Sequence, residues 1–243
     1  MEHIIGVLGF RKVCARWAPR MLSDEMKAER VRSSRELLER FEKEGEDFFK
    51  KTITGDETWS IIMTPRTKGN PWNTVIRNHL SRKIQNTGFG WKGYVDCFWN
   101  SVRVVLADFL AEETTINSQR YIETLTALKR RIERIGIRNE TLLQHDNARP
   151  YTSAATRDVI QRLDFSALPH PPYSPDLAPS NFHLFPKLKA HLKGQRFSCE
   201  EEVNSAVRKW FQKQNTNFFK DGFQKLVQRW RKCIEVPGDF VEK

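Results

Sequence analysis

Two aspartates, Asp56 in TGDETW and Asp146 in TLLQHD, each close a short run of β-forming or apolar residues. In open α/β sheets ligands gather outside the carboxyl ends of strands. Two carboxylates meeting there would bind Mg²⁺, a hard ion that takes oxygen ligands and keeps several waters. A pair of such ions activates water or a 3′ hydroxyl at one side and stabilises the leaving oxygen at the other, the chemistry of phosphodiester cleavage. Aspartates at strand ends also serve turns, so residue type and placement leave that role open beside the catalytic one. A third stretch, HPPYSPDLAPSNFHLF at 170–185, sets four prolines ahead of an amphipathic run. Proline fixes φ, so this loop is built to hold its far end in place, and Ser180 and Asn181 are both types that cap a following helix.

These residues need elements to carry them. Residues 3–22 read as an entry arm, with Trp17, Pro19, Met21 and Leu22 as apolar anchors among basic side chains. Ser23 suits the cap of a helix running to about residue 41, with Asp24 and Glu25 in the first turn, where the helix dipole favours negative charge, and Gly45 beyond the end. Residues 50–63, KKTITGDETWSIIM, read as two short strands flanking Gly55-Asp56, which puts Asp56 near a strand end. Residues 64–92 mix Pro, Gly, Asn and basic residues without a sustained period, the signature of a long and functional loop. The runs at 94–99 and 104–110 are aromatic and β-branched around Asn100-Ser101, a hairpin. Tyr121, Leu125, Leu128, Ile132 and Ile135 recur at helical spacing, with Asn117 or Ser118 as N-cap and Gly136 as stop. Residues 141–146 suit a buried strand with Asp146 at its carboxyl end, 153–163 a helix, and 166–168 a short strand. This alternation implies parallel pairing and, with the hairpin, an α/β protein with a mixed sheet between helices. Farther on, Val203, Ala206, Val207, Trp210 and Phe211 form one helical stripe and Phe223, Leu226, Val227 and Trp230 another, both read as core.

The 243 residues suit one main core with an appendage, and 39% hydrophobic residues with seven Trp and sixteen Phe argue against a disordered chain. Forty-one Lys and Arg against 30 acids give a formal charge of +11, which favours a polyanionic partner, nucleic acid first. Twelve of those cations against four acids fall within 186–232. Arg149, just after Asp146, and Lys187, Lys189, Lys193 and Arg196, just after the 170–185 stretch, are expected to make phosphate contacts rather than read bases. The plainer alternative is a solvated basic face. Cys14, Cys97, Cys199 and Cys233 are too widely spaced for a zinc pattern or a disulfide framework and read as reduced intracellular thiols. The opening MEHIIGVLGF lacks the marks of a signal peptide, and no apolar run is long enough to cross a bilayer, so no membrane is expected.

Taken in order, RWAPRML, TGDETW, HDNARP, HPPYSPDLAPSNFHLF and the terminal RWRKCIEVPGDFVEK resemble the linker and catalytic-domain signatures of the mariner transposases of the Tc1/mariner group. The resemblance implies an RNase H-like fold, a mixed five-stranded sheet flanked by helices over 46–243, after a linker arm and helix over 1–45. It further implies three carboxylates that bind Mg²⁺ or Mn²⁺, the last two separated by 34 residues. Asp56 and Asp146 carry over intact, and the 34 residues after Asp146 lead to Asn181, where the family has Asp. Asp176 falls in SPDLAP and does not match that slot. A carboxamide lacks the full negative charge and leaves one neutral carbonyl oxygen as a ligand. Cleavage is therefore expected to fall by at least about three decades, roughly 4 kcal/mol of transition-state stabilisation.

Other departures are Tyr151 where the family's HDNARPH ends in His, Ala18 and Arg20 where its linker reads WVPH, and drift over 68–93. The helix-turn-helix modules that read transposon ends in the family are expected to be missing, and sequence-specific recognition with them. The remaining expectations are DNA held mainly through its backbone, a homodimer paired through the linker, and residence in the nucleus. Two readings follow: a transposase-derived domain with weak or no nicking, and a domesticated, non-catalytic binding or dimerisation module. Asn181 divides them.

Overall fold

The computed structural model describes residues 21–63, 90–110, 117–137, 140–195, 197 and 199–241, with backbone alone at 59–63 and 90–93. Trp17, Pro19, Arg196, Cys14 and residues 64–89 of the loop expected over 64–92 lie outside the described residues, and 90–92 of that expected loop are strand instead. Helix α1 (Asp24–Glu44) begins where expected: the Ser23 hydroxyl accepts from the amide of Met26 at 3.3 Å. It ends at Gly45, whose φ of 63° lets the chain turn directly into α2 (Glu46–Lys51).

Strand β1 (Thr52–Met63) is one continuous strand, not the two short ones expected over 50–63. Gly55-Asp56 stays extended. A Cβ at Gly55 would lie 2.4 Å from Cε1 of Phe98, so the glycine admits that ring across the strand and does not turn the chain. Asp56 consequently lies inside β1 and not at its end. Strand β2 (Gly90–Trp99) starts earlier than expected because Gly90 and Lys92 pair with Met63 and Ile61. Asn100 closes the hairpin into β3 (Val104–Leu110), its Oδ1 accepting from the amides of Val102 and Arg103 at 3.0 Å each.

Helix α3 (Ser118–Arg134) is capped by Asn117, whose Oδ1 accepts from the amide of Arg120 at 2.9 Å. Next come β4 (Thr141–Gln144), a short unanticipated α4 (Arg149–Thr152), α5 (Ala154–Arg162) and β5 (Phe165–Ala167). The five strands form one mixed sheet in the order β3-β2-β1-β4-β5, antiparallel from β3 to β1 and parallel from β1 to β5. On one face Tyr121, Leu125, Leu128 and Ile132 of α3 pack with Ile53, Phe98, Leu143 and Ile160. On the other lie α6 (Phe185–Leu192), α7 (Glu200–Lys213) and α8 (Thr216–Glu235). The two aromatic stripes are core, with Trp210, Phe211, Phe223 and Trp230 buried beside Trp99 and Leu142. Helix α1 lies against α8. Among the described residues no helix is long and apolar enough to cross a membrane.

Candidate active site

Parallel pairing fixes where the first two acidic residues meet. The last parallel pair between β1 and β4 is Thr54 with Gln144, and both Asp56 and Asp146 lie two residues beyond it. One oxygen of Asp146 accepts from the amide of Ala148 at 2.9 Å, which holds the carboxylate at the start of α4. One oxygen of Asp56 accepts from the amide of Glu57 at 2.8 Å.

The proline-rich loop delivers the third position. It passes through a 3₁₀ turn (Pro175–Leu177) into a π-helical turn (Ser180–Leu184) that leads into α6. Such wide turns recur at functional sites because the extra residue re-aims side chains. The expected helix cap is absent: Pro179, one residue earlier, is already helical at φ −58° and ψ −32°, so neither Ser180 nor Asn181 stands at a cap position. Both side chains are used sideways instead. The Ser180 hydroxyl accepts from the indole nitrogen of Trp99 at 2.9 Å, inside the core. Asn181 donates from Nδ2 to the second oxygen of Asp56 at 2.5 Å.

Electrostatics mark this end of the sheet. Burial pushes the Asp56 carboxyl well above the usual range, and the charges of Glu57 and Asp146 add to that, opposed by the Glu57 amide and by Lys189. Burial also raises Asp146, against its bond from Ala148. Two acids unremarked in the sequence join them. Glu57, raised by burial and by Asp146, accepts from the Tyr151 hydroxyl at 2.7 Å. Asp96, in register with Glu57 on β2, is buried and raised by that burial and by Glu57 and Asp56. The available signal was an acid amid the apolar run YVDCFW, a rare thing in a buried strand. Clustered carboxylates whose charge is disfavoured make a place that a cation would relieve.

The donor set fits a hard divalent ion in part. Asp56 and Asp146 supply anionic oxygens, whereas the amide of Asn181 turns its NH₂ to Asp56 and leaves one neutral oxygen on its far side. Among the described residues, no three His, Cys, Asp or Glu side chains are placed to hold a metal ion.

The basic residues divide. Lys189, on α6, is close enough to Asp56 for the two charges to interact, and partial desolvation lowers its pKa. Arg149 opens α4 and Lys193 follows α6, both exposed. Lys187 turns toward α8, 3.8 Å from a carboxylate oxygen of Asp221 and 4.7 Å above the Phe218 ring. Of the linker anchors, Met21 is exposed and Leu22 half-buried ahead of α1. Asp176 accepts from both terminal nitrogens of the buried Arg30, at 2.9 and 2.7 Å, and from the amide of Val241 at 2.8 Å.

No protein-family model matches the chain. It is 31% identical to the Mariner Mos1 transposase of Drosophila mauritiana over 238 residues, 93% of this chain and 66% of that protein. It is 30% identical to the Histone-lysine N-methyltransferase SETMAR of Homo sapiens over 241 residues, 97% of this chain but 34% of that protein. Among solved structures, the Mos1 transposase paired-end complex with left transposon end superposes with a TM-score of 0.80 at 30% identity, covering 99% of this chain and 70% of that one. The Mos1 catalytic domain gives 0.77 at 29%, covering 93% of this chain and all of that one. Mos1 paired-end complexes have been solved with Mg and with Mn. Fold and relatives together define an RNase H-like domain similar to the catalytic domain of Mos1 transposase. The chain belongs to the mariner transposase family, and it spans only part of each of the two relatives, 66% of one and 34% of the other.

Proposed function

We propose that this chain is a mariner transposase-derived DNA-binding domain whose two-metal nuclease site has become Asp-Asp-Asn, with strand cleavage weak or lost. The observation that carries the reading is the amide of Asn181 on Asp56, in the position that the family spacing assigns to a carboxylate. Asp56 and Asp146 would hold Mg²⁺ or Mn²⁺ only weakly, aided by the Asn181 carbonyl oxygen alone. Such ions, when bound, supply an activated hydroxyl nucleophile and charge to stabilise the leaving oxygen. Arg149, Lys189 and Lys193 hold the phosphate backbone beside that site, and the cations of α7 and α8 extend the hold without reading bases. Lys187 and Arg196 belong to the same basic group, and Trp17, Pro19, Met21 and Leu22 to an arm, within a linker-and-helix region over 1–45, that pairs two copies. The presence of Mg and Mn in Mos1 complexes and of transposon DNA in the paired-end complex supports this assignment. We place the chain in the nucleus, as a domesticated derivative.

Nicking of labelled duplex DNA in Mg²⁺ and in Mn²⁺ tests the reading. Asn181→Asp is expected to cleave at least about a thousand-fold faster than the native chain, equivalent to roughly 4 kcal/mol. Asp56→Ala is expected to abolish whatever cleavage the native chain retains. Equal cleavage by the native and Asn181→Asp forms would overturn the role given to Asn181. The Asn181 to Asp56 bond also favours the second reading, a non-catalytic binding module, and that reading gains if neither form cleaves while both bind DNA.

A further inference from the structure

Asp56 has both carboxylate oxygens engaged by N–H donors, one from the amide of Glu57 at 2.8 Å and one from Asn181 Nδ2 at 2.5 Å. The charges of Glu57, next along β1, and of Asp146, just beyond the end of β4, also bear on Asp56. With a carboxylate at 181, the second contact would set two negative oxygens against each other, and such an arrangement needs a cation or a shared proton between them. The amide offers the positive end of a dipole instead. Its surroundings keep it there: the backbone N–H of Asn181 is bonded to the Ala178 carbonyl at 2.9 Å, and the neighbouring Ser180 is tied to Trp99 at 2.9 Å.

We propose that Asn181 serves this chain as an internal substitute for the divalent ion, holding Asp56 so that the cleft stays assembled with no metal and its stability is independent of Mg²⁺ and Mn²⁺. This rests on reading Asp56, Asp146 and Asn181 as a former metal site. The atom that serves Asp56 is the amide nitrogen, a donor that cannot ligate a cation, so this contact places a hydrogen bond where a carboxylate would place a ligand oxygen. An entering ion would compete with Asn181 for that oxygen of Asp56. The substitution thus does two things at once: it exchanges a charged ligand for a neutral one, and it sets a competitor for Asp56 beside it.

Thermal and urea unfolding, without DNA, of the native chain, Asn181→Asp, Asn181→Ala and the exchanged pair Asp56→Asn/Asn181→Asp test this in EDTA and in millimolar MnCl₂ or MgCl₂. The native chain is expected to unfold within about 1 °C of the same temperature in both conditions. Asn181→Asp should unfold at least about 4 °C lower in EDTA and recover with Mn²⁺, since a ligand that binds only the folded state stabilises it. Asn181→Ala, which adds no charge, should lose less in EDTA. The exchanged pair restores one amide and one carboxylate in reversed order and should regain native stability in EDTA. If Asn181→Asp does not fold in EDTA, refolding from urea with and without MnCl₂ makes the same comparison. The proposal is overturned if Asn181→Asp matches the native chain in EDTA, if the exchanged pair is no better than Asn181→Asp, or if Mn²⁺ stabilises the native chain as much as the variant. An Asn181→Asp deficit that the exchange repairs and Mn²⁺ does not would keep the amide's hold on Asp56 and instead sink the metal-site reading.

Discussion

A single hydroxyl sets the start of the turn that carries Asn181. Ser180 and Trp99 are fully buried, and the indole N–H finds its acceptor in the Ser180 oxygen at 2.9 Å. Ser180→Ala leaves that N–H unpaired away from water, which costs about 1–3 kcal/mol in urea unfolding. Trp99→Phe removes the donor as well, so Ser180→Ala should cost clearly less in a Trp99→Phe background than in the native one. Fully additive losses would show that the pair is not coupled. Single residues were also where the sequence was most informative about chemistry and least about partnership. Asp56, Asp146 and Asn181 announce themselves by motif and interval, and the bond between Asn181 and Asp56 joins positions that only the fold brings together. Glu57 and Asp96 escaped notice for the same reason: what makes them part of the site is their register across β1 and β2, set by strand pairing and invisible in either segment alone.

At the scale of elements, the proline-rich loop is held by more than its prolines. Arg30, on α1 and fully buried, donates to Asp176 and Ser174 of the loop and to the carbonyls of Gly238 and Asp239 near the C-terminal end. Arg229 of α8 adds a bond to the Asp176 carbonyl at 3.0 Å. One helix, one loop and the C-terminal segment thus share a single guanidinium. Removing one partner of a buried pair leaves the other charge uncompensated, so Arg30→Leu is expected to cost about 3–5 kcal/mol by urea unfolding. Arg30→Lys should recover little of it, because an ammonium cannot make the forked contact. Full stability in Arg30→Lys would show that charge alone suffices. The longer helices were legible from periodicity and caps, since α1, α3, α7 and α8 each bury one stripe and local chemistry sets most of their ends. The misread element was β1. A glycine that admits a neighbouring ring and a glycine that turns the chain look alike in sequence, and only Phe98 across the strand distinguishes them. The π-helical turn was equally hidden: its first residue, Ser180, is tied to Trp99, which lies far away in sequence.

For the whole molecule the decisive quantity is charge, and composition overstates what is available to a partner. The net +11 already subtracts the acids, but the 41 Lys and Arg behind it are not equally available: Lys225 and Lys187 both reach Asp221, Lys220 reaches Glu46 at 3.3 Å, and Lys232 reaches Glu235 at 3.3 Å. Cations committed in this way release fewer counterions from DNA than exposed ones do. Binding to duplex DNA through the remaining cations is still expected to weaken steeply between about 50 and 200 mM salt, with each true phosphate contact adding about 0.9 to the slope of log K against log salt. Lys189, beside Asp56 at the cleft, and Lys187, drawn to Asp221 and Phe218, provide a matched pair two residues apart. Lys189→Ala should lower the slope by about 0.9 on any duplex, and Lys187→Ala by clearly less. Fluorescence anisotropy with two labelled duplexes of unrelated sequence reads both slopes. A salt-independent affinity, or a strong preference for one duplex, would exclude backbone-dominated binding. Equal slopes for the two variants would mean that the ion pairs on α8 open when DNA arrives, and that the charge available to DNA is set by the chain's composition and not by its fold.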